Sequence, residues 1–408
     1  MGKAPISKLQ APGKLQVPSS QSGCVWVGLF MMLFLTGAGA AENPLKCVNA
    51  DAEKGMSEAV IVEDSDLIHT MQMLPSDTKE DARKQADEVL SKLDDMLKSA
   101  GAKLENACKL NICIASDEAI KPLQQSLAAR FTGATKPAVA VVTGKLAAPG
   151  ALVAMDAVVP AEGLHTSLKP LLENGARSCS VLPKGSKIYV SGMADTNALA
   201  QATRKTLEKL VAAIGHLGLD KKDVVQLKAF LEPMSDVALV RKEIVDFFDS
   251  NAPPLVFVEW ISPRPNPPIE IELIAPAKGD FSKETNSVTF LTPPGTTDSK
   301  VFRRVARVNH GKLVYISGLY GQISGDGGVQ VREIFRSLKG ILQQSGSDFD
   351  HLVKATYYVS DDDASNRLNE IRPQYYKPDR PPAASKAKVK GVGMPEKTVT
   401  MDMIAVTK

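Results

Sequence analysis

The chain has 408 residues, of which 44% are hydrophobic and 23% are charged, and its formal net charge is +3. This is the composition of an ordinary globular protein with two or three domains, and it excludes a chain that is disordered throughout. The small positive charge gives little support to nucleic-acid binding, which usually needs a basic patch on the folded domain.

Residues 1–40 have the pattern of a secretory signal. Three lysines precede the apolar run CVWVGLFMMLFL (24–35), and Ala38 and Ala40 in the following TGAGAAEN fit a small-residue cleavage site. An uncleaved membrane anchor is the alternative, but the run is short for a span of about 20 residues. We therefore expect an exported protein, periplasmic or extracellular, with no stable membrane span after cleavage.

Cleavage of this segment would change the interpretation of the remaining chain. Its three lysines account for the whole net charge of +3, so the mature chain would be formally neutral. Four cysteines would remain in an oxidising compartment, which leaves open either one disulfide or four free buried thiols. They are Cys47, Cys108, Cys113 and Cys179.

Three later segments share one order of elements, in which an amphipathic helix is followed by a glycine and then a strand. The glycine just past each helix is typical of a left-handed C-cap. The three segments are residues 81–117 with Gly101, 199–236 with Gly218, and 329–363 with Gly346.

A second helix and two strands follow in each segment. The second and third segments also begin with a strand that ends in Ser-Gly, KIYVSG (187–192) and KLVYISG (312–318), where the first has LIHTMQM. Each repeat is thus predicted to be an α+β unit, a mixed β-sheet with two helices on one face, whose other face needs a cover. We place the repeats at 52–160, 166–277 and 285–408.

The stretch PPIEIELIA (267–275) in the second repeat places two carboxylates in an apolar strand. Residues two apart share one face, so Glu270 and Glu272 point one way and the isoleucines and leucine point the other. An unpaired buried carboxylate is costly, so this face must meet water, a partner or a site. Two interpretations of this acidic face remain open, a solvated sheet face and a functional site.

Together, the motifs VYISG, IYVSG, KATYYVSD, DRPPAAS and PPIEIELIA resemble the RidA family, also called YjgF, endoribonuclease L-PSP or imine deaminase. The resemblance implies three tandem RidA-like (chorismate-mutase-like) domains. Family members are typically homotrimers, so it implies a monomer that folds as an intramolecular pseudo-trimer around a central barrel. It also implies clefts between repeats that could take a small carboxylate or an imine-like ligand.

The resemblance further implies a catalytic pair, an arginine that holds the substrate carboxylate and a glutamate that positions water. The glutamate falls on Glu270 in the second repeat, whereas the other two repeats have Ala154 and Thr400. The arginine is missing from all three repeats. Its positions hold Val139, Leu255 and Ala384, or Ala383 if the third loop is aligned one residue differently.

The comparison of the repeats and the same resemblance together point to further residues. Glu272 corresponds to an acid in every repeat, and we expect these three acids to be structural, around the pseudo-threefold axis; the other two are Asp156 and Asp402. The candidate ligand-binding residues are Gly192, Gly318, Ser385 and Arg380. Arg264, Arg380 and Lys386 could replace the lost cation, although each also fits a solvated turn or edge charge.

The sequence contains no metal-ligand spacing, phosphate loop, nucleophile elbow or Cys-x-x-Cys motif, so we expect no metal and no cofactor. We expect no nucleic-acid partner, and a neutral mature chain supports ribonuclease action poorly. The preferred hypothesis is an exported, non-catalytic RidA-like protein that binds a small ligand or acts as a scaffold. The alternative is an enamine or imine hydrolase that uses Glu270.

Overall fold

A computed structural model of the chain describes residues 45–161, 171–261, 267–323 and 325–408. The predicted signal segment 1–40 and the candidate cation Arg264 lie outside the described residues. All described elements belong to one unit of the chain, Asn43–Lys408.

The first repeat contains six strands and two helices. Helix α1 is capped by Asp81, whose carboxylate accepts a hydrogen bond from Lys84 N, and its apolar stripe packs on the sheet. The elements are β1 Leu45–Asp51, β2 Met56–Val62, β3 Asp66–Thr70, α1 Ala82–Ser99, β4 Lys109–Ile114, α2 Ile120–Arg130, β5 Ala138–Thr143 and β6 Val153–Ala161.

The second repeat has the same order after a short hairpin. Its elements are β7 Leu172–Glu173, β8 Ala176–Arg177, β9 Cys179–Leu182, β10 Lys187–Asp195, α3 Leu199–Gly215, β11 Gln226–Leu231, α4 Val237–Phe247, β12 Leu255–Glu259 and β13 Ile269–Pro276.

The third repeat follows this order once more. Its elements are β14 Val288–Leu291, β15 Val305–Val308, β16 Leu313–Ile316, α5 Gly327–Gln344, β17 Leu352–Val359, α6 Asp362–Ile371, β18 Ala383–Lys388 and β19 Val399–Val406. The predicted left-handed glycines after the first helix of each repeat are confirmed, with φ of 77° at Gly101, 76° at Gly218 and 71° at Gly346.

The strand pairings between repeats form a closed cycle. Strand β2 of the first repeat pairs with β16 of the third, β9 of the second pairs with β3 of the first, and β15 of the third pairs with β10 of the second, all antiparallel. Each repeat thus gives one strand to the repeat before it and receives one from the repeat after it. Strands of the third and first repeats form one 11-stranded sheet that includes β9, and strands of the second repeat form a 6-stranded sheet with β15 and β14 of the third.

Apolar side chains form two kinds of core. Each repeat has its own core between its sheet and its two helices. Two further clusters draw residues from all three repeats and lie on the faces of the sheets turned away from the helices. The sheets therefore cover one another, and the predicted packing of three α+β domains as a pseudo-trimer around a central barrel is confirmed.

All four cysteines of the described part, Cys47, Cys108, Cys113 and Cys179, are free thiols, which is one of the two alternatives left open by the sequence. Within the same residues, no helix combines the length and the apolar character needed to cross a bilayer.

Candidate functional site

The two glutamates of PPIEIELIA lie on β13 and point toward the interior of the barrel. Ile269, Ile271 and Leu273 point the other way, into the core beneath the helices. Glu272 is 6% exposed and Glu270 is half-buried, so this face is not a solvated sheet surface. Each carboxylate must be explained by what it contacts.

Glu272 belongs to a buried cluster of charges at the barrel axis, with one acid and one lysine from each repeat. The lysines lie on the strand that follows the first helix of each repeat, β4, β11 or β17; they are Lys109, Lys228 and Lys354. Lys354 Nζ lies 2.5 Å from Glu272 Oε2, and Lys109 Nζ lies 2.7 Å from Asp402 Oδ1. Both pairs join two different repeats.

We call this cluster the charge ring. The third ion pair that its pseudosymmetry would require, between the first and second repeats, is missing. Gln226 occupies the strand position held by Lys109 and Lys354 in the other repeats, and it donates to Thr70 O (2.9 Å) while its Oε1 lies 3.4 Å from His69 Nδ1. The lysine of the second repeat sits two residues further along, at Lys228, with Nζ 4.0 Å from Glu272 Oε1.

Asp156 is the acid that this interruption leaves without a lysine. Its Oδ2 accepts from Asn111 Nδ2 at 2.8 Å, whereas its Oδ1 has no hydrogen-bond partner among the described residues. Burial raises the pKa of Asp156 to about 6, against the opposing effect of Lys228. In Asp402, by contrast, the effect of burial is outweighed by the charges of Lys109, Lys228 and Lys354 together with the hydrogen bond from Lys109, and the pKa lies below its ordinary value.

Glu270 lies at an interface between the second and third repeats that we call the Glu270 cleft, formed by Glu270 and Gly192 with Ser385 and Lys386. Ser385 Oγ accepts from Gly192 N at 3.2 Å and donates to Glu272 Oε2 at 2.7 Å, so it ties the two repeats together. A Cβ on Gly192 would lie 2.0 Å from Glu270 Oε1, so only glycine leaves room for this carboxylate.

Burial raises the pKa of Glu270 to about 7, and the neighbouring Ser385 hydroxyl and the charges of Lys354 and Arg304 oppose this shift. Burial lowers the pKa of Lys386 to about 8; the charge of Arg372 lowers it further and that of Glu270 raises it. A carboxyl and an amine that both titrate near neutrality are suited to proton transfer or to binding a charged ligand.

Lys386 is two residues beyond Ala384 on β18, and both therefore face the same side of the strand. Its Nζ donates to Ser365 Oγ at 3.0 Å and lies 3.2 Å from Asn369 Oδ1, both neutral groups. Arg304 likewise donates to main-chain oxygens, to Gly192 O at 2.8 Å. Neither Lys386 nor Arg304 forms an ion pair with a carboxylate within the described ranges.

The interface between the third and first repeats contains a second, open cleft, the Tyr320 cleft, formed by Gly318 and Tyr320 with Val139 and Val141. The main chains meet where Gly318 N donates to Val139 O at 2.9 Å, and Ser317 Oγ accepts from Val139 N at 2.7 Å. The cavity has a volume of about 300 Å³.

The interface between the first and second repeats is closed by Gln72, and we call it the Gln72 cleft, with Leu255 and Phe257. Gln72 N donates to Leu255 O at 3.0 Å, its Nε2 donates to Phe257 O at 3.1 Å, and its Oε1 accepts from Phe257 N at 3.3 Å. The side chain thus saturates the strand edge that a ligand would need to approach.

The structure brings four predicted site residues to one place: Glu270, Gly192, Ser385 and the degenerate position Ala384, whose N donates to Ser191 Oγ at 2.7 Å. Arg380 lies elsewhere, where its guanidinium donates to Asp350 O and Val288 O. Sequence reasoning did not identify Arg304 or Arg372, which no motif marks. Lys386 had a detectable signal, its spacing of two from Ala384.

No group of three His, Cys, Asp or Glu side chains in the described part could hold a metal ion.

The model of the endoribonuclease L-PSP family matches the chain three times, at residues 49–161, 178–277 and 301–407. The chain belongs to this family. It is the family that the sequence motifs resemble under the name RidA, and the three matches correspond to the three repeats of the fold.

Two curated relatives each resemble one part of this RidA-family chain. Protein DfrA of Myxococcus xanthus is 29% identical over 113 residues, which are 26% of this chain and 85% of that protein. The human 2-iminobutanoate/2-iminopropanoate deaminase is 31% identical over 81 residues, 18% of this chain and 59% of that protein.

Solved structures also match one repeat at a time. The Rid-family protein YyfB of Yersinia pestis has 20% identity and a TM-score of 0.26, and covers 29% of this chain and 99% of its own. Yeast Mmf1 has 23% identity and a TM-score of 0.22, and covers 30% of this chain and 99% of its own.

The charge ring predicts opposite effects for two similar substitutions. The pKa of Asp156 is about 6 when folded against an ordinary 3.8, so the folded state holds this proton more tightly, and stability is lost as pH rises through 6. Asp156→Asn should therefore raise the free energy of unfolding at pH 8 by about 1–3 kcal/mol. Urea denaturation at pH 8 and pH 4 measures the effect, which should vanish at the lower pH.

Asp402→Asn is the matched control, because it removes the same charge but leaves Lys109 buried without its partner. This variant should lose about 3–5 kcal/mol at pH 8. Equal effects of the two substitutions at pH 8 would contradict the interrupted ring.

Proposed function

We propose that this RidA-family chain binds a small carboxylate in the Glu270 cleft and does not act as a standard imine deaminase. The observation that carries the proposal is Lys386, a half-buried cation on the cleft side of β18 that is bound only to neutral groups. A cation in such a place is best satisfied by an anion supplied from outside. The loss of the family arginine at Ala384 favours binding over catalysis.

Pseudosymmetry supports the orientation of Lys386. In the first repeat the same strand position is Val141, which pairs with Ile112 of the adjacent strand as Lys386 pairs with Tyr357. Val141 lines the open cavity of the Tyr320 cleft. Lys386 accordingly lies where a ligand in the equivalent cleft would be.

Lys386→Met should weaken the binding of 2-oxobutanoate, a stable small carboxylate, at least about tenfold, because a buried charged contact is lost. Lys388→Met is the control, since Lys388 is on the same strand but pairs with Asp362 at 2.7 Å. Calorimetry on the purified chain measures both. An unchanged affinity in Lys386→Met, or equal binding of the neutral methyl ester, would refute the proposal.

The affinity measured in the same titration should depend on pH. Glu270 becomes an anion as pH rises through about 7, and Lys386 loses its charge as pH rises through about 8. Both changes disfavour an anionic ligand, so affinity should fall steadily from pH 6 to pH 9.

Hydrolysis of an enamine or imine by Glu270 is the second candidate. It is favoured by the pKa of about 7, which suits a group that orients and deprotonates water near neutral pH. The test is the loss of freshly generated 2-iminopropanoate with and without the chain. We expect no rate above background; a rate that disappears in Glu270→Gln would establish the enzyme.

We also propose that the chain is exported and that residues up to about 40 are removed. The support is the order of lysines, apolar run and small residues in this segment. Intact mass and N-terminal sequencing of the protein from expressing cells should find a terminus close to Ala40. A chain that keeps the segment and sediments with membranes would instead favour the uncleaved anchor.

A further inference from the structure

The Tyr320 cleft differs in chemistry from the Glu270 cleft although the two occupy equivalent places in the pseudo-trimer. Its cavity of about 300 Å³ is at the lower end of the range for ligand pockets, about 300–1,000 Å³. The apolar residues of its buried and half-buried wall include Met56, Ile120, Leu123, Leu127, Val141 and Leu319, and the polar side chains beside them, such as Ser57, Gln124 and Ser317, are neutral.

The acid and the lysine that define the Glu270 cleft are both replaced by neutral residues here. Thr400 stands where the second repeat has Glu270, and Val141 stands where the third has Lys386. An ionised ligand entering this cavity would lose its hydration without gaining a partner, which is strongly unfavourable.

The charges that line the cavity are at its mouth. Asp51 and Lys54 form an ion pair of 3.0 Å with side chains 37% and 56% exposed, and exposed Glu58 accepts from Asn49 Nδ2 at 2.6 Å. Two acids against one lysine leave this rim with a net negative charge, which repels an anion approaching the cavity.

The hydroxyl of Tyr320 is a polar group of the cavity wall, and its own hydrogen bond determines what it can offer a ligand. The Tyr320 hydroxyl donates its hydrogen to Val392 O at 2.8 Å, so toward the cavity it can only accept. It lies beside Gly318, where an added Cβ would be 3.0 Å from Thr400 Oγ1 and 3.7 Å from the hydroxyl oxygen. A ligand that meets Tyr320 must therefore bring an N–H or O–H.

We propose that the Tyr320 cleft binds an uncharged small molecule with an apolar body and one hydrogen-bond donor. The chain then has two ligand sites of different chemistry. This inference does not depend on carboxylate binding in the Glu270 cleft, because the two clefts share no side chain.

Indole is a suitable probe, since it is neutral, apolar and carries one N–H. We expect saturable binding of indole to the purified chain in ligand-detected NMR or calorimetry. Tyr320→Phe should weaken it roughly fivefold, the effect of one hydrogen bond. Val141→Lys should abolish it by placing in this cavity the cation of the other cleft.

Two controls separate the sites. Tyr375→Phe, a tyrosine stacked on Phe335 away from the cavity, should leave indole binding unchanged. Indole-3-carboxylate, measured in a Lys386→Met background that removes the cation of the Glu270 cleft, should bind at least about tenfold more weakly than indole. Lys386→Met alone should not change the affinity for indole.

Three results would overturn the proposal: no saturable indole binding up to the solubility limit, equal binding of indole and its carboxylate in the Lys386→Met background, or unchanged indole affinity in Tyr320→Phe. The last variant keeps the packing of the ring, so it remains informative if Val141→Lys fails to fold.

Discussion

The barrel axis contains three carboxylates and three lysines that are almost fully removed from water, and this is the constraint on which the assembly depends. The two shortest ion pairs at the axis cross between repeats, Lys109 to Asp402 and Lys354 to Glu272. A single repeat would therefore expose or bury charges without partners, at a cost of several kcal/mol for each buried ion. The cyclic pairing of the strands brings the lysine of one repeat to the acid of another, and in this way it also balances the charges at the axis.

The interruption of this ring and the closure of one cleft occur at the same interface. Between the first and second repeats, neutral Gln226 and His69 take the place of an ion pair, and burial lowers the pKa of His69 to about 4, so it is uncharged. At this interface Gln72 also fills the strand edge of the cleft. At the barrel axis the first and second repeats thus meet through neutral hydrogen bonds, whereas each of the other two interfaces keeps an ion pair there.

Much of this fold follows from local patterns. The period of two in PPIEIELIA and the period of the helices predict which faces are buried, and the repeated order of elements predicts three similar sheets that cover one another. The repeats also separate Glu272, which has an acidic counterpart in each copy, from Glu270, which has none.

The contacts of the sites follow from the sequence less completely. Which lysine meets which acid depends on the register between repeats, and no local pattern encodes it. Lys228 illustrates this. A lysine at position 226 would be equivalent to Lys109 and Lys354 and would face Asp156, whereas Lys228, two residues further along the strand, lies beside Glu272 instead. The hydrogen bonds by which Gln72 closes its cleft join residues that are 185 positions apart in the sequence. The cations Arg304 and Arg372 reach the Glu270 cleft from segments that contain no recognisable motif.

Covalent fusion explains why such differences can persist. In an assembly of three identical copies, replacing a ring lysine by glutamine would leave three buried acids without partners, and replacing Lys386 or Glu270 would change all three clefts together. In the fused chain the same change happens once, so only Asp156 lacks a lysine partner and the other two ion pairs are kept. The cost of an unpaired buried carboxylate is then one-third of that in the symmetric assembly. Each cleft is consequently free to change its chemistry while the other two hold the barrel together.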